Sequence, residues 1–266
     1  KLLGLHKLGR QWIARAWIPG AEAVEAVAAD GTGAGALERR NDAGFFEGPV
    51  KIRDRQIVTY RASNAGGAWT VVDPYLFGPV LGPLDDYYIA EGNHLRLHDK
   101  LGAHPLHHEG YDGVHFAVWA PNAERVSVVG DFNGWDGRRH VMRRRMDIGV
   151  WEIFIPGATV GQGYKFELLG HGGHRLPLKS DPFGFQSELR PKTASRVARI
   201  DNFAWSDQDY LQQRKSRDHR RVPVSIYEVH LGSWKRKDGD AFLTYAELAQ
   251  DLVAYVKDMG YTHIES

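Results

Sequence analysis

The fold of this chain is decided by one short turn and its flanking strands; the turn reads Gly130-Asp131-Phe132-Asn133-Gly134-Trp135-Asp136. Two runs with alternating apolar residues precede it, at 114–118 and 125–129, and two further strand-like runs follow it, at 150–156 and 164–168. Alternation of period two is typical of strands that bury one face. Asn133 and Gly134 both tolerate positive φ, which predicts a tight turn. Because Trp135 follows this turn directly, we expect its side chain to point outward.

An outward-facing tryptophan offers a broad, rigid and apolar surface to a ligand. The C–H face of a pyranose ring can stack on an indole, while nearby donors bind the hydroxyl groups around the rim of the sugar. Trp135, Lys165 and Asn133 therefore form the candidate carbohydrate-binding set. The alternative is that Trp135 merely closes the hairpin against the sheet, since large aromatic side chains are usually mostly buried.

The composition is that of an ordinary globular protein: 266 residues, 42% hydrophobic, 25% charged, with a formal net charge of +1. A near-neutral charge argues against nucleic acid or an anionic membrane as the main partner. No apolar run approaches membrane-spanning length, and no signal peptide opens the chain. The absence of cysteine excludes disulfides and thiolate metal sites, and it fits a cytoplasmic location. Because the first residue is Lys1 rather than methionine, we expect a fragment or a processed chain.

An internal repeat runs through most of the sequence. Two pairs of segments correspond: residues 17–24 with 119–126, and residues 73–77 with 181–185. This self-similarity predicts a mostly β chain with two tandem immunoglobulin-like β-sandwiches, one over residues 1–105 including a connector and one over 106–205. The first copy has the glycine-rich residues 31–35 in place of the Asn-Gly-Trp turn, and Arg61 in place of Lys165. We interpret the first copy as a spacer or packing domain.

The sequence also contains two clusters of ionisable residues. The first is a group of histidines near the junction of the predicted sandwiches: His94, His98, His104, His107 and His108. Gly102 and Pro105 interrupt this stretch, so it lacks the defined element that usually holds metal ligands. We predict a polar connector there and no metal site. The second set is a run of arginines that predicts a solvated strand face: Arg138, Arg139, Arg143, Arg144 and Arg145.

The C-terminal part of the sequence changes to a strand–helix–strand pattern. Its predicted elements are a charged strap, an apolar strand at 223–231, a helix opened by the capping box of Thr244 and Glu247, and a second strand at 261–265. The apolar face of the helix would consist of Leu248, Leu252, Tyr255, Val256 and Met259. Gly260 suits the C-cap. Residues 206–266 are therefore predicted to form the strap and one βαβ unit.

Three segments of the second sandwich, residues 116–123, 126–135 and 164–166, resemble the glycogen-binding type of carbohydrate-binding module. Modules of this type precede the catalytic barrel of α-glucan branching and debranching enzymes. The resemblance implies that Trp135 and Lys165 contact glucan. Binding members often carry a second platform tryptophan shortly before the Asp-Pro pair, but residues 175–180 contain no aromatic side chain.

Residues 225–236, from Ser225 through Gly232-Ser233-Trp234-Lys235-Arg236, resemble the first barrel strand of bacterial 1,4-α-glucan (glycogen) branching enzymes. This resemblance implies that the βαβ unit starts a (β/α)8 barrel, a fold of roughly 250 residues. It also implies an enzyme that cleaves an α-1,4 link, holds the glucan as a covalent intermediate and transfers it to a 6-hydroxyl. The two carboxylates of such retaining chemistry lie about 5–5.5 Å apart, and the family takes them from later strands.

The resemblance therefore places the catalytic residues beyond Ser266 and assigns none to this chain, which we expect to bind α-glucan and to catalyse nothing. We expect Glu228 and His230 to have structural roles. No cofactor is implied. Two other functions stay open: a stand-alone glucan-binding or targeting protein, and part of a debranching or trehalose-releasing relative. The Gly-Ser-Trp-Lys-Arg continuation at 232–236 disfavours the second of these.

Overall fold

The structure is a computed structural model that describes residues 2–145, 147–201, 203–218 and 220–266. The chain divides into two compact units, residues 1–202 and residues 203–266. The first unit contains both sandwiches and the connector between them, and the second contains the strand–helix–strand pattern. Among the described residues, no helix is long and apolar enough to cross a membrane.

Seven antiparallel strands build the first sandwich: β1 Gly4–Leu8, β2 Gln11–Trp17, β3 Ala23–Val27, β4 Gly33–Arg39, β5 Phe45–Val50, β6 Thr59–Asn64 and β7 Gly67–Val71. They form one continuous sheet in the order β1-β2-β5-β4-β3-β6-β7. Strand β4 pairs with β3 over most of its length and with β5 through its last two residues, so it joins two layers. Ala16 and Phe46 of one layer share a core with Ala26 and Tyr60 of the other.

The second sandwich has eight strands: β8 Gly102–His108, β9 Tyr111–Trp119, β10 Arg125–Gly130, β11 Arg143–Arg145, β12 Val150–Pro156, β13 Gly163–Leu169, β14 Gln186–Ser187 and β15 Ser195–Arg196. Two antiparallel sheets, β11-β12-β9-β8 and β10-β13-β15-β14, enclose its core. Alternate residues supply that core, among them Phe116, Val128 and Phe166. The alternating pattern is thus confirmed. The predicted domain boundary at residue 105 falls inside β8, which pairs with β9 along its whole length.

The internal repeat is visible in the two Asp-Pro turns. The Asp73 Oδ1 accepts a hydrogen bond from the Tyr75 backbone N–H at 2.9 Å, and the Asp181 Oδ1 accepts one from Phe183 at 2.8 Å. Both aspartates are buried. Burial raises the pKa of Asp73 to about 6 and also raises the pKa of Asp181. Corresponding sequence segments therefore form corresponding turns, the first after the last strand of the first sandwich and the second before β14 of the second sandwich.

A helix in the connector, α1 Pro83–Ala90, was not predicted from the sequence. Pro83 occupies its first turn, where the missing N–H has no cost, and the Gly82 N–H donates to Asp85 Oδ2 at 2.9 Å. Leu81 and Leu101 of the connector pack against Ala117 and Val150 on the outer face of the β11-β12-β9-β8 sheet. One face of the second sandwich is therefore covered by the connector rather than by water.

Arg143 and Arg145 are not part of the solvated face that the sequence predicts for the arginine run, whereas the other three arginines of the run are exposed. Arg143 Nη2 donates to the Tyr75 carbonyl oxygen at 2.9 Å, and Arg145 contacts Asp86 of α1 while its Nη1 donates to Glu152 at 2.7 Å. These two arginines fasten the second sandwich to the segment that precedes it. The prediction was wrong because a periodic pattern within one strand cannot reveal that a neighbouring segment covers it.

The second unit contains α2 Gln208–Ser216, β16 Ile226–Glu228, α3 Leu231–Trp234, α4 Tyr245–Asp258 and β17 His263–Glu265. β16 and β17 pair in parallel, as a βαβ unit requires. The capping box is confirmed: Glu247 N–H donates to Thr244 Oγ1 at 3.3 Å, and Thr244 N–H donates to Glu247 Oε2 at 2.8 Å. Gly260 follows α4 with φ of 81°. The predicted strap contains helix α2, which buries none of its residues. A helix without a buried face needs no apolar periodicity, so the sequence pattern did not predict it.

Candidate functional site

The turn that carries Trp135 is formed by a short 3-10 turn at Asp131–Asn133 and two left-handed residues. Gly134 has φ of 63° and Trp135 has φ of 61°. The left-handed pair is thus shifted by one residue from the predicted Asn133–Gly134 pair. A bulky residue with positive φ is a rare conformation that the surrounding structure has to impose. Trp135 is held in this conformation with 38% of its surface exposed.

Asn133 holds the turn from inside. Its Oδ1 accepts a hydrogen bond from the Gly130 N–H at 3.0 Å, and its Nδ2 donates to the Val128 carbonyl oxygen and to His140 Nδ1, both at 2.9 Å. The residue is only 7% exposed. With both amide hydrogens used and the side chain buried, Asn133 has no donor left for a sugar. We therefore expect Asn133 to position Trp135 rather than to contact the ligand, which is a different role from the one that the sequence predicts.

His140 is suited to accept that hydrogen bond because its ring is neutral. Burial, together with the neighbouring charge of Arg139, lowers the pKa of His140 to about 4. A neutral imidazole keeps one nitrogen as an acceptor, here Nδ1 towards the Asn133 amide. Since the pKa of His140 is lowered from 6.5 to about 4, the folded protein keeps this contact down to about pH 4, and the stability that depends on neutral His140 is complete above about pH 6.5 and is lost as the pH falls through 4.

Asp131 fixes the indole against strand β13. The indole N–H of Trp135 donates to Asp131 Oδ1 at 3.2 Å, and the other carboxylate oxygen accepts the Gly163 backbone N–H at 2.7 Å. A Cβ atom at Gly163 would lie 3.7 Å from the Trp135 ring, an ordinary van der Waals distance, so the indole lies directly beside this strand. Because its N–H is already bonded, Trp135 offers a ligand its ring face and Asp131 offers a carboxylate at the edge.

Lys165 lies two residues beyond Gly163 on β13, and therefore on the same face of the sheet. Its ammonium group donates to Thr193 Oγ1 at 2.6 Å. A hydroxyl partner leaves the positive charge of Lys165 uncompensated, so the group can also donate to a ligand. The structure thus brings Trp135 and Lys165 together on the outer face of the β10-β13-β15-β14 sheet, with Asp131 and Thr193 as neighbours that the sequence analysis missed.

Leu178 lies in the stretch before the Asp181-Pro182 pair, where binding modules often have a second platform tryptophan. Lys179 pairs with Phe166 of β13, whose side chain is in the core. Strand alternation then places Leu178 on the opposite, outer face, where it is half-exposed. At the position of Lys165 in the first copy, Arg61 donates to Glu25 at 3.0 Å. The cation at this position of the first sandwich is therefore already paired with a carboxylate.

The histidines of the connector are bonded individually rather than grouped. His94 contacts Asp85 Oδ1 at 3.2 Å, and His104 Nε2 donates to the Leu101 carbonyl oxygen at 2.9 Å. Within the part of the chain that the structure describes, no group of three His, Cys, Asp or Glu side chains could hold a metal ion. His230, in the second unit, precedes α3 and contacts Ser233 Oγ at 2.9 Å, which is a structural role.

Replacing Asn133 by alanine should weaken ligand binding without removing any ligand contact. The substitution leaves the Gly130 N–H and the Val128 carbonyl without partners, so the free energy of unfolding should fall by about 1–3 kcal/mol. The turn would then release the strained Trp135. Urea denaturation and affinity electrophoresis on glycogen gels measure the two effects. Asn64→Ala, which removes a similar side-chain bond in an exposed hairpin of the first sandwich, is the control and should leave glycogen retardation unchanged.

Two protein-family models match the chain. The carbohydrate-binding module 48 (isoamylase N-terminal domain) matches residues 100–184, which include Trp135 and Lys165. The N-terminal domain of the alpha-1,4-glucan branching enzyme GlgB matches residues 1–75. The solved structure of apo pullulanase from Klebsiella pneumoniae aligns with a TM-score of 0.45 and 16% identity, over 99% of this chain and 32% of that chain.

Similar curated proteins are named 1,4-alpha-glucan branching enzyme GlgB. Those of Rhizobium meliloti (strain 1021) and Mesorhizobium japonicum are each 59% identical over 264 residues, covering 99% of this chain. The chain spans 36% of the length of these relatives and corresponds to their N-terminal region. The chain therefore belongs to the GlgB family of 1,4-α-glucan branching enzymes.

Proposed function

We propose that this chain is the glucan-binding N-terminal part of an enzyme that introduces α-1,6 branches into α-1,4-glucan. Its binding surface is the outer face of the second sandwich, with Trp135 as the platform and Lys165 beside it. The observation that carries this proposal is the conformation of Trp135, which is exposed and has positive φ in a turn that the buried Asn133 and its partner His140 hold. A tryptophan that only closed a hairpin would not require this strain.

The chemistry of the surface matches a neutral sugar chain. The indole face can cover the C–H groups of one glucose ring, while the Lys165 ammonium donates to hydroxyl oxygens and the Asp131 carboxylate accepts hydroxyl hydrogens. One aromatic platform with an aliphatic neighbour, Leu178, supports weak binding. Weak binding suits a surface that has to release and re-engage a long polymer during repeated transfers.

The role of this region in branching would be to hold the glucan near a catalytic barrel. We assign no residue of this chain to the cleavage of the α-1,4 link or to transfer onto a 6-hydroxyl. The strand–helix–strand unit at 226–265 is proposed to be the first part of the (β/α)8 barrel, on the basis of its parallel pairing and capped helix. A cytoplasmic location, where glycogen would be the substrate, is proposed with it.

Native electrophoresis in gels with and without glycogen tests the proposal. The chain should be retarded by glycogen, and soluble linear maltooligosaccharide should reverse the retardation. Lys165→Met removes a charged donor but keeps most of the side-chain volume, and it should weaken binding roughly tenfold. Lys51→Met, an exposed lysine of the first sandwich, is the matched control. Equal migration with and without glycogen would contradict the proposal.

A further inference from the structure

A cleft of about 650 Å³ lies between the two sandwiches, apart from the surface around Trp135. Its volume is within the range of about 300–1,000 Å³ that is common for ligand pockets. One wall comes from the ends of β2 and β5 and the other from residues 138–144. Both walls belong to the same compact unit of the chain.

Two aromatic residues of the first sandwich face this cleft instead of their own core. Trp17 and Phe45 are directly opposite each other in the pairing of β2 with β5, so their side chains lie side by side on one face. Their neighbours Ala16 and Phe46 point to the other face and are in the core. An aromatic pair on the face away from the core adds no stability to that core. Tyr75, whose hydroxyl donates to the Val141 carbonyl oxygen at 2.9 Å, adds a third ring.

The cleft also contains donors without partners. The indole N–H of Trp17 and the side-chain amide N–H₂ of Asn41 make no hydrogen bond within the described residues, whereas Asn41 Oδ1 accepts the Phe45 N–H at 3.1 Å. Aromatic faces combined with free neutral donors are the combination that recognises a sugar ring and its hydroxyl groups.

The arginines on the opposite wall are each held by a protein acceptor. Arg138 pairs with Asp136, Arg143 donates to the Tyr75 carbonyl oxygen, and Arg144 donates to the Pro121 carbonyl oxygen at 3.1 Å. Carbonyl partners leave the charges of Arg143 and Arg144 uncompensated, so both groups can also donate to a ligand oxygen. The choice of a sugar over an anion therefore rests on the aromatic pair.

The cleft is connected to the loop that carries Trp135. A smaller hollow of about 320 Å³ shares Trp17 and Tyr75 with it, and the wall of this hollow includes Asn133 and His140. These two residues hold the Trp135 turn. One loop therefore contributes to both places where a ligand could lie.

We propose that the cleft between the sandwiches is a second binding site for a linear α-glucan segment, with Trp17 and Phe45 as its platform. The choice of α-glucan rests on the proposed function, while the sugar-binding character rests on the cleft itself. A second platform on the first sandwich would compensate for the aromatic residue that is absent near Leu178. The first sandwich would then be a binding partner of the module and not only a spacer.

Calorimetric titration of the whole chain with maltoheptaose tests this site. The unmodified protein should show two sites, and Trp17→Ala and Trp135→Ala should each remove one of them, with affinity at the lost site reduced at least about tenfold. Trp119→Ala is the control, since Trp119 is an exposed tryptophan that lines neither hollow. Because the chain has no cysteine, Asn41→Cys blocked with a bulky maleimide gives a second way to close the cleft while Trp17 stays in place.

The outcomes separate this proposal from the proposed function. One site that survives Trp135→Ala and disappears with Trp17→Ala or with the blocked Asn41→Cys protein supports the cleft. Loss of all binding in Trp135→Ala, or two sites in Trp17→Ala, overturns the cleft and leaves the Trp135 surface standing. Saturable binding of glucose 1-phosphate or inorganic phosphate that depends on Trp17 overturns the assignment of a neutral glucan.

Discussion

Trp135→Ala is expected to reduce the retardation of this protein by glycogen to the part that the cleft at Trp17 contributes, with the dissociation constant for maltooligosaccharide at the Trp135 surface rising at least about tenfold. Among the described residues of the second sandwich, we place no other aromatic ring on this face. Its removal leaves Lys165 and Asp131 with no apolar surface on which to hold the sugar. Affinity electrophoresis over a series of glycogen concentrations gives the dissociation constants of the unmodified protein and of the variant.

A second substitution at the same position separates binding from stability. Trp135 has φ of 61°, a conformation that glycine adopts without strain. Trp135→Gly should therefore be more stable than Trp135→Ala by about 1 kcal/mol, although both lose the ligand at the Trp135 surface. Urea denaturation compares the two variants, which differ by a single methyl group.

Trp119→Ala controls for the loss of an exposed tryptophan. Trp119 is 59% exposed, and its indole N–H donates to the Ile148 carbonyl oxygen at 3.1 Å. This variant should keep full retardation on glycogen. If Trp135→Ala also kept it, Trp135 would be a structural residue, and the outer face of the second sandwich would not be the glucan-binding surface.

Glu152→Gln is expected to lower the free energy of unfolding of the first unit by about 3–5 kcal/mol. Glu152 is 2% exposed and accepts four hydrogen bonds. The donors are the Val80 N–H at 3.0 Å, the Leu81 N–H at 3.2 Å, His115 Nε2 at 3.0 Å and Arg145 Nη1 at 2.7 Å. An amide would direct its own hydrogens at some of these donors and leave Arg145 without its buried counter-charge.

The pH dependence gives this prediction a second readout. Burial alone would raise the pKa of Glu152, but the hydrogen bonds from His115, Leu81 and Arg145 outweigh it and lower the pKa to about 2. A lowered pKa means that the unfolded chain binds the proton more readily. The stabilisation is therefore complete above about pH 4.5 and is lost as the pH falls through 2. Burial also lowers the pKa of His115, which destabilises the fold further in acid.

Urea denaturation between pH 7 and pH 2 measures both effects. The free energy of unfolding of the unmodified protein should fall steeply below pH 4.5. Glu152→Gln should have a lower free energy of unfolding at pH 7, and this value should fall less steeply with decreasing pH. Glu38→Gln is the control, because Glu38 forms only an exposed pair with Arg40, and such pairs contribute about 0–1 kcal/mol. If Glu152→Gln matched Glu38→Gln, the buried network would not be what joins the connector to the second sandwich.

Several features of this chain could be read from local sequence rules. Alternating apolar residues identified strands such as β9 and β10, and the spacing of Thr244 and Glu247 identified the start of α4. The Asn-Gly dipeptide located the turn that exposes Trp135. Each of these signals depends on residues within a few positions of one another, where the backbone geometry itself relates one side chain to the next.

Other features were decided by packing between distant segments. Arg143 and Arg145 look like surface charges until the Asp73 turn and α1 cover them. Asp131 acquires its role from Gly163, which is 32 residues away along the chain.

The sequence by itself determined the strands, the repeat, the capped helix and the presence of an exposed tryptophan, because these depend on side-chain periodicity and on backbone φ preferences. Only the tertiary structure decided that the Asn133 side chain is buried and hydrogen-bonded within the Trp135 turn, and that Trp17 and Phe45 face a cleft. Those outcomes depend on which polar groups and which surfaces are left unpaired once two sandwiches have packed together, and no local pattern in the sequence records that.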